Sequence, residues 1–444
     1  MAATFNTYIE ALTYFYTYPQ YNPANTSHWN LDRMKALLAR LGDPQKRYHT
    51  LLIAGTKGKG TTAAISESIL RHAGYRTGLY TSPHLHSFRE RIRIGGDLVS
   101  EETLVRLANR LYPHFEATEG LTAFELITAL AFATFAEENA DVAVLEVGLG
   151  GRLDATNAID ADVAVITSIS YDHIQILGDT LTLIAREKAG IIRPGATVVS
   201  APQEDEALQT IEQVCNDRQA KLTVIDQAWE WETNLGDLTG QSFQVCEETY
   251  HLPLIGTPHV TNAITAMAAT LKLSQKVGLA ISQQAMSAGI GNVTWRGRME
   301  ILNKGPYLIL DSAMNGDSAE KLGETLNYYF PERTIRFIFG ASADHPIEDM
   351  LEALCPLATD MVMAAAPHPR AATPKDLVAT ATEFGYQVQE TDDVAATLDK
   401  MINQAKPDDV ICATGSLFLV AHVRELWLKR QNLPLPAIDP LILS

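Results

Sequence analysis

The stretch that most restricts the fold runs from Leu51 to Ile94, LLIAGTKGKGTTAAISESILRHAGYRTGLYTSPHLHSFRERIRI. It begins as an apolar run, breaks into three glycines and two lysines within the six residues Gly55–Gly60, and continues with helical spacing. A strand that turns through glycines into a helix is the context of a phosphate-binding loop. Glycines let backbone N–H groups turn toward phosphate oxygens, and the helix start adds partial positive charge. The loop Lys57-Gly58-Lys59-Gly60-Thr61 is therefore expected to cradle a nucleoside triphosphate. Lys59 is placed for the outer phosphates and the Thr61 and Thr62 hydroxyls for a magnesium ion. The spacing departs from GxxxxGK[ST], because Gly60 separates Lys59 from Thr61. The alternative is an ordinary strand-to-helix turn in which Lys57 is a solvated surface charge.

The rest of the chain repeats this rhythm. HTLLIAGT, RTGLYTS, DVAVLEVG and DVAVITSIS read as buried strands, and TTAAISESILRHAG and FELITALAFATFAEENA as helices. A second series follows VTWRGRMEI, with strands YLILDSA, IRFIFGAS, DMVMAAAP and DVICATGS alternating with helices up to LFLVAHVRELWLK. The pattern predicts an α/β protein. A P-loop-type parallel-sheet domain is expected over residues 1–297 and a smaller Rossmann-like α/β domain over 298–444. Residues 201–253 read as less regular, with antiparallel strands within QSFQVCEETYHLPL.

Composition narrows the function. A net charge of −18 over 444 residues opposes a broad nucleic-acid-binding surface, so cations for an anionic ligand must be gathered locally. Cys215, Cys246, Cys355 and Cys412 have no metal-ligand spacing and read as reduced structural thiols. The N-terminal aromatic stretch lacks a basic segment and a small-residue cleavage site, and no apolar run reaches the roughly 18 residues of a membrane span. A cytoplasmic protein without a membrane partner is expected.

In open parallel sheets ligands bind at the carboxyl ends of strands. Glu146 interrupts the apolar VAVLEVGLGG, VITSISYDHIQILG ends its strand with Asp172-His173, and LIAREKAGII sets Lys188 in an apolar helical segment. A buried ion pair between Glu146 and Lys188, and a turn histidine at 173, account for each residue singly. Beside a phosphate loop, a metal-and-phosphate site is the better account.

These residues carry a resemblance. AGTKGKGTT, FELITALAF, DVAVLEVGLGGRLDATN, ITSISYDHIQILGDTLTLIAREKAGIIRPG, PHVTNAITAMAA, WRGRMEI and ATGSLFLVAHVREL, in this order, resemble the Mur ligase superfamily and most closely its folylpolyglutamate synthase/dihydrofolate synthase branch. The resemblance implies that ATP phosphorylates a folate carboxylate and that the amine of L-glutamate displaces the phosphate. It implies that Lys57, Gly58, Lys59, Gly60 and Thr61 hold the ATP phosphates, with Lys59, Lys188 and His173 acting in catalysis. Ser82, Glu146 and His173 would bind Mg2+, with a monovalent cation such as K+ also accommodated. Lys188 matches a lysine carbamylated in the superfamily. Asn262, Arg298 and Asp311 would contact the nucleotide, and Phe124, Glu125 and Asp154 the folate. A monomer with small-molecule substrates and no nucleic-acid partner is expected.

Three departures qualify the resemblance. His28-Trp29-Asn30 stands where bifunctional bacterial members usually have Asp-Leu-Gly, which favours polyglutamylation over use of dihydropteroate. Arg296 replaces the usual proline of the WRGR stretch. Asp311-Ser312-Ala313-Met314-Asn315 stands for Asp-Gly-Ala-His-Asn, so Met314 replaces a histidine expected at the nucleotide. A thioether cannot supply that contact, and its loss weakens ATP use about ten- to a hundredfold unless Asn315 or His345 fills the gap. Two alternatives remain at this point: a Mur-type ligase for another carboxylate, and a weakly catalytic paralogue that binds nucleotide or folate.

Overall fold

The computed structural model describes residues 5–19, 30–343 and 345–440. Of the His28-Trp29-Asn30 departure, only Asn30 lies within the described residues.

An eight-stranded sheet is built from residues 49–224. Its spatial order is Asp97–Leu98, Ile92–Ile94, Thr77–Tyr80, Val142–Glu146, His49–Ala54, Val163–Ile166, Thr197–Ser200 and Lys221–Val224. The last six of these pair in parallel, and the first two form an antiparallel edge. The pattern of β-branched and apolar runs demands this, because a strand covered on both faces needs apolar residues on both. In His49–Ala54, Leu51 and Ile53 face one core while Leu52 and Ala54 face the other. The helices Lys59–His72 and Thr257–Val277 cover the first face, and Ala123–Glu137 covers the second.

A second sheet of six strands has the order Glu300–Lys304, Tyr307–Leu310, Val410–Thr414, Ile335–Phe339, Asp360–Ala364 and Gln389–Thr391. Only the first strand is antiparallel to its neighbour. It has its own apolar core on each face. Among the described residues no helix is long and apolar enough to cross a membrane.

Two expectations need correction. Residues 201–224 are regular: the helix Asp205–Asp217 and the strand Lys221–Val224 extend the main sheet. Only Trp231–Leu252 leaves it, as a three-stranded antiparallel meander that buries Phe243 and Tyr250 against the core. Nor does the strand ending at Ile166 reach His173. Residues 167–172 leave the sheet because their carbonyls are needed elsewhere: Ser168 O accepts the N–H groups of Thr56 (2.8 Å) and Lys57 (3.1 Å). His173 then caps the short helix Ile174–Leu177 in the left-handed region, at φ 49°.

Candidate active site

The strand His49–Ala54 delivers Gly55 into a loop that only glycine permits at two points. Gly55 has φ +144°, and a Cβ there would lie 1.9 Å from Thr167 Oγ1; Gly58 has φ +84°, and a Cβ would lie 2.1 Å from Asn262 Oδ1. Asn262, on the helix Thr257–Val277, therefore packs directly on the loop. The helix Lys59–His72 begins at once, with no side chain capping its first N–H groups. An uncapped, glycine-led helix start presents those donors to an anion.

Three ammonium groups converge on this loop. Lys59 Nζ donates to Gly55 O and Thr56 O (3.1 Å each), and Lys188 Nζ donates to the same Gly55 O at 2.8 Å. Lys57 Nζ lies 3.2 Å from Asp172 Oδ2. Lys188 ends the helix Leu181–Lys188 and is 3% exposed. Burial, reinforced by the charge of Lys59, pushes its ammonium well below the ordinary lysine range. Burial also lowers Lys57, against the attraction of Asp172. Lys57 and Lys59 crowd their charges into this small volume beside an amine that burial drives toward neutrality, with carbonyls and the Asp172 carboxylate as partners, so a polyanion is the natural counter-charge. Thr61 and Thr62 are buried, and Thr62 Oγ1 has no hydrogen-bond partner.

Glu146 closes the strand Val142–Glu146 opposite the loop. Its Oε2 accepts the Ser82 N–H at 2.9 Å, and its carboxylate lies 3.4–3.5 Å from where a Gly60 Cβ would stand. Burial raises its pKa, opposed by Lys59, by the Ser82 N–H and by Arg298. Among the described residues no side-chain cation pairs with it, so the alternative of a Glu146–Lys188 ion pair is not what forms; Lys188 turns to Gly55 O. His173, with its side chain 46% exposed, lies 3.8 Å from Asp172; its pKa is lowered by partial burial against the pull of Asp172. Among the described residues no three His, Cys, Asp or Glu side chains form a metal cage. The buried Glu146 carboxylate beside Gly60 is a sparse donor of the kind that suits Mg2+, which keeps most of its waters and needs one or two carboxylates plus substrate phosphates.

The second sheet points its carboxyl ends at the same place. Asp311 follows the strand Tyr307–Leu310, accepts the N–H groups of Met299 (2.8 Å) and Ala313 (2.9 Å), and has its pKa raised by burial against the charge of Arg298. Asn315 caps the helix Gly316–Tyr329. Asp317, in its first turn, is near enough to act electrostatically on Lys57. Arg296 pairs with Glu300 at 3.2 Å. Trp295 escaped the sequence reading: its ring edge stands 3.0 Å from a Cβ built on Gly60, and Arg93 lies over its face at 5.8 Å. The WRGR stretch was legible, but nothing in it marked the tryptophan as the residue that meets the loop.

Phe124 and Asp154 meet at Gly148, where a Cβ would lie 2.6 Å from the Phe124 ring and 3.2 Å from Asp154 Oδ2. Asp154 is buried and accepts the N–H groups of Gly148, Leu149 and Thr156 together with the Thr156 hydroxyl. Glu125 is drawn into local work as well: it completes a capping box with Thr122 and pairs with Arg33 at 3.3 Å. Phe124 and Asp154 thus share a wall on the side of Glu146 that the loop after this strand forms, whereas Glu125 serves the helix start.

A glycine loop on one parallel sheet, faced by the carboxyl ends of a second, is the architecture of a Mur-type ligase. Residues 53–270 match the Mur ligase middle domain and residues 297–417 match the Mur ligase glutamate ligase domain. Within that class, the chain belongs to the dihydrofolate synthase/folylpolyglutamate synthase family. It is 36% identical over 409 residues to the dihydrofolate synthase/folylpolyglutamate synthase of Bacillus subtilis (strain 168), covering 89% of this chain and 94% of that protein. It is similar in structure to E. coli FolC in complex with DHPP and ADP, with a TM-score of 0.85 and 34% identity over 96% of this chain and 99% of that one. A bifunctional folylpolyglutamate synthase/dihydrofolate synthase with Mn, AMPPNP and L-glutamate bound gives a TM-score of 0.82 and 32% identity over 98% and 100% of the two chains.

Proposed function

We propose that this protein is an ATP-dependent carboxylate–amine ligase that adds L-glutamate to a folate, with a tetrahydrofolate as the substrate that the His28-Trp29-Asn30 departure favours over dihydropteroate. The observation that carries the reading is the convergence of Lys57, Lys59 and Lys188 on the glycine loop, with the buried carboxylate of Glu146 beside Gly60. A triphosphate meets the first group and a divalent cation the second. The solved relatives hold ADP with DHPP, and AMPPNP with Mn and L-glutamate.

The chemistry needs two anions to meet. A carboxylate oxygen of the folate attacks the γ-phosphorus of ATP and ADP departs, leaving an acyl phosphate. The neutral glutamate amine then attacks the acyl carbon, the carbon–oxygen bond to phosphate breaks, and the nitrogen releases one proton to solvent while keeping the other as the amide N–H. The loop N–H groups and Lys59 neutralise the transferring phosphoryl group. Glu146, Ser82 and His173 would hold Mg2+, which would neutralise charge on the transferring phosphoryl group; a K+ ion is a further candidate. Asn262, Arg298 and Asp311 frame the nucleotide, and Phe124 with Asp154 frames the pterin side. Burial favours the neutral amine of Lys188, the form that adds CO2, so its carbamylation belongs to the same reading.

The first domain is taken as residues 1–297 and the second as 298–444. Support comes from the helix that ends at Gly291 and the strand that begins at Glu300. A cytoplasmic monomer that binds no nucleic acid completes the proposal; the net charge of −18 supports the last point. The test is ADP release that requires both glutamate and a folate. Release with a peptidoglycan precursor in place of folate would instead establish a different Mur-type ligase.

A further inference from the structure

The loop between the strand Thr77–Tyr80 and the turn Phe88–Arg91 is held from both sheets. Its near end lies at the candidate metal site, where the Ser82 N–H donates to Glu146 Oε2 at 2.9 Å. Its middle is stapled by Glu90, whose carboxylate accepts the N–H groups of Leu85 (2.9 Å), His86 (2.9 Å) and Ser87 (3.1 Å). At its far end the buried ring of His86 meets the helix Leu417–Arg430, which packs on the second sheet through Leu419, Val420, Val423 and Trp427. Arg424 Nη1 lies 3.3 Å from His86 Nε2, and Glu425 Oε1 lies 3.1 Å from Nδ1. A guanidinium only donates, so Nε2 accepts and Nδ1–H donates to Glu425. Arg424 also pairs with Glu300 (3.1 Å), which opens the second sheet.

The next residues of the loop are held by the chain's C-terminal segment. From Gln431 that segment runs without regular structure to Asp439. Leu433, Leu435 and Ile438 remain 40–49% exposed along it, and Pro434 and Pro436 have no N–H to give. Its course is therefore set at Asp439. The Asp439 N–H donates to His86 O at 3.1 Å. Its carboxylate accepts the Ser87 hydroxyl (3.2 Å), the Phe88 N–H and the Tyr8 hydroxyl (2.9 Å). Hydrogen bonds to an ionised acceptor are the stronger kind.

We infer that Asp439 is a positioning residue for the metal end of the proposed site. By gripping residues 86–88 it fixes the loop whose other end presents the Ser82 N–H to Glu146. The segment is also a second crossing between the two sheets, besides residues 292–299. The relation of the sheets and the geometry at Glu146 are thus joined through one loop. This inference rests on the proposed metal and nucleotide site.

The test compares Asp439→Ala with Tyr8→Phe, which removes one donor to the same carboxylate but leaves the two on the loop. Hydrogen exchange of the ligand-free protein, read by NMR, should show the Ser82 amide exchanging about tenfold faster in Asp439→Ala than in wild type. Rates in His49–Ala54 should be unchanged, and Tyr8→Phe should keep the wild-type rate at Ser82. Titration of Mg2+ at fixed AMPPNP, followed by calorimetry, should need about tenfold more Mg2+ for half-maximal binding in Asp439→Ala and the wild-type amount in Tyr8→Phe. Asp439→Glu, which keeps the carboxylate, should recover most of both losses. Wild-type exchange at Ser82 in Asp439→Ala would overturn the inference. So would faster exchange with an unchanged Mg2+ requirement, or a Tyr8→Phe variant that matches Asp439→Ala in both readouts. Neither readout needs turnover. Wild type that binds AMPPNP with Mg2+ but never releases ADP in a glutamate-dependent way would overturn the ligase reading, while the two readouts would still decide the role of Asp439. Failure of wild type to bind AMPPNP would overturn both.

Discussion

Gly58→Ala tests the phosphate loop at its tightest point. The substitution has two separable effects. Gly58 sits at φ +84°, where a residue with a Cβ is less stable by about 1–2 kcal/mol. The new Cβ would also lie 2.1 Å from Asn262 Oδ1, with the rest of the carboxamide close behind, so loop and helix must part by about 1 Å or more. The strain lowers stability, whereas the displacement moves the N–H groups that are to grip the phosphates. A misplacement of about 1 Å is worth roughly a hundredfold in rate, or about 2.7 kcal/mol of barrier. Gly42 supplies the control: at φ +77° it carries the same strain, but a Cβ there meets nothing within 4 Å. Both alanine variants should lose a few degrees of thermal midpoint. Only Gly58→Ala should lose about two orders of magnitude in kcat/KM for ATP, read as glutamate-dependent ADP release. Equal activity in the two variants would refute the argument that this glycine sets the approach of the loop to the nucleotide.

Other perturbations read the charges one at a time. Lys59→Ala removes a cation whose contacts are two loop carbonyls, so the fold should survive while turnover falls by about 10²–10³-fold; scanning calorimetry and single-turnover ADP release check the two halves. Glu146 has a raised pKa, so its stabilising contribution is present below the ordinary carboxylate value and lost as pH rises through the raised one. Metal-free Glu146→Gln should therefore be the more stable protein at neutral pH, yet gain less midpoint than wild type from Mg2+ with AMPPNP; a wild-type gain would remove Glu146 from the metal site. Lys188 is shifted the other way, so between its depressed value and about 10.5 the unfolded chain binds the extra proton and stability climbs with pH. Lys188→Met should flatten that climb in denaturant titrations run across the alkaline range.

What the sequence made legible was local, and what it hid was tertiary. Glycines between a four-residue apolar run and a helical run define strand, loop and helix without outside help, and Glu146 stood out as a carboxylate within an apolar strand. The Lys57–Asp172 pair, the Trp295 edge over Gly60 and the contact of His345 with Met314 join residues far apart in the chain, and no spacing announces them. Residues 201–224 looked irregular because their helix is largely polar and their strand only four residues long, yet sheet extension only required one more parallel edge. Glu125 and Asp154 show a further limit. Each was singled out for the folate, and each is first a backbone organiser, one closing the Thr122 capping box and the other gathering N–H groups of the loop after Glu146. Carboxylates near helix starts and in glycine-rich loops commonly do this work, so type and position alone could not separate it from substrate contact.

The acyl phosphate is the centre of the account, and isotope transfer tests it most directly. Folate labelled with ¹⁸O in its reacting carboxylate would be turned over with ATP and L-glutamate, and the released inorganic phosphate analysed by mass spectrometry. If the carboxylate attacks phosphorus at the Lys59 loop and the amine then displaces phosphate, each phosphate carries one ¹⁸O from the folate. Phosphate free of label, released in step with glutamylated product, would contradict the mechanism.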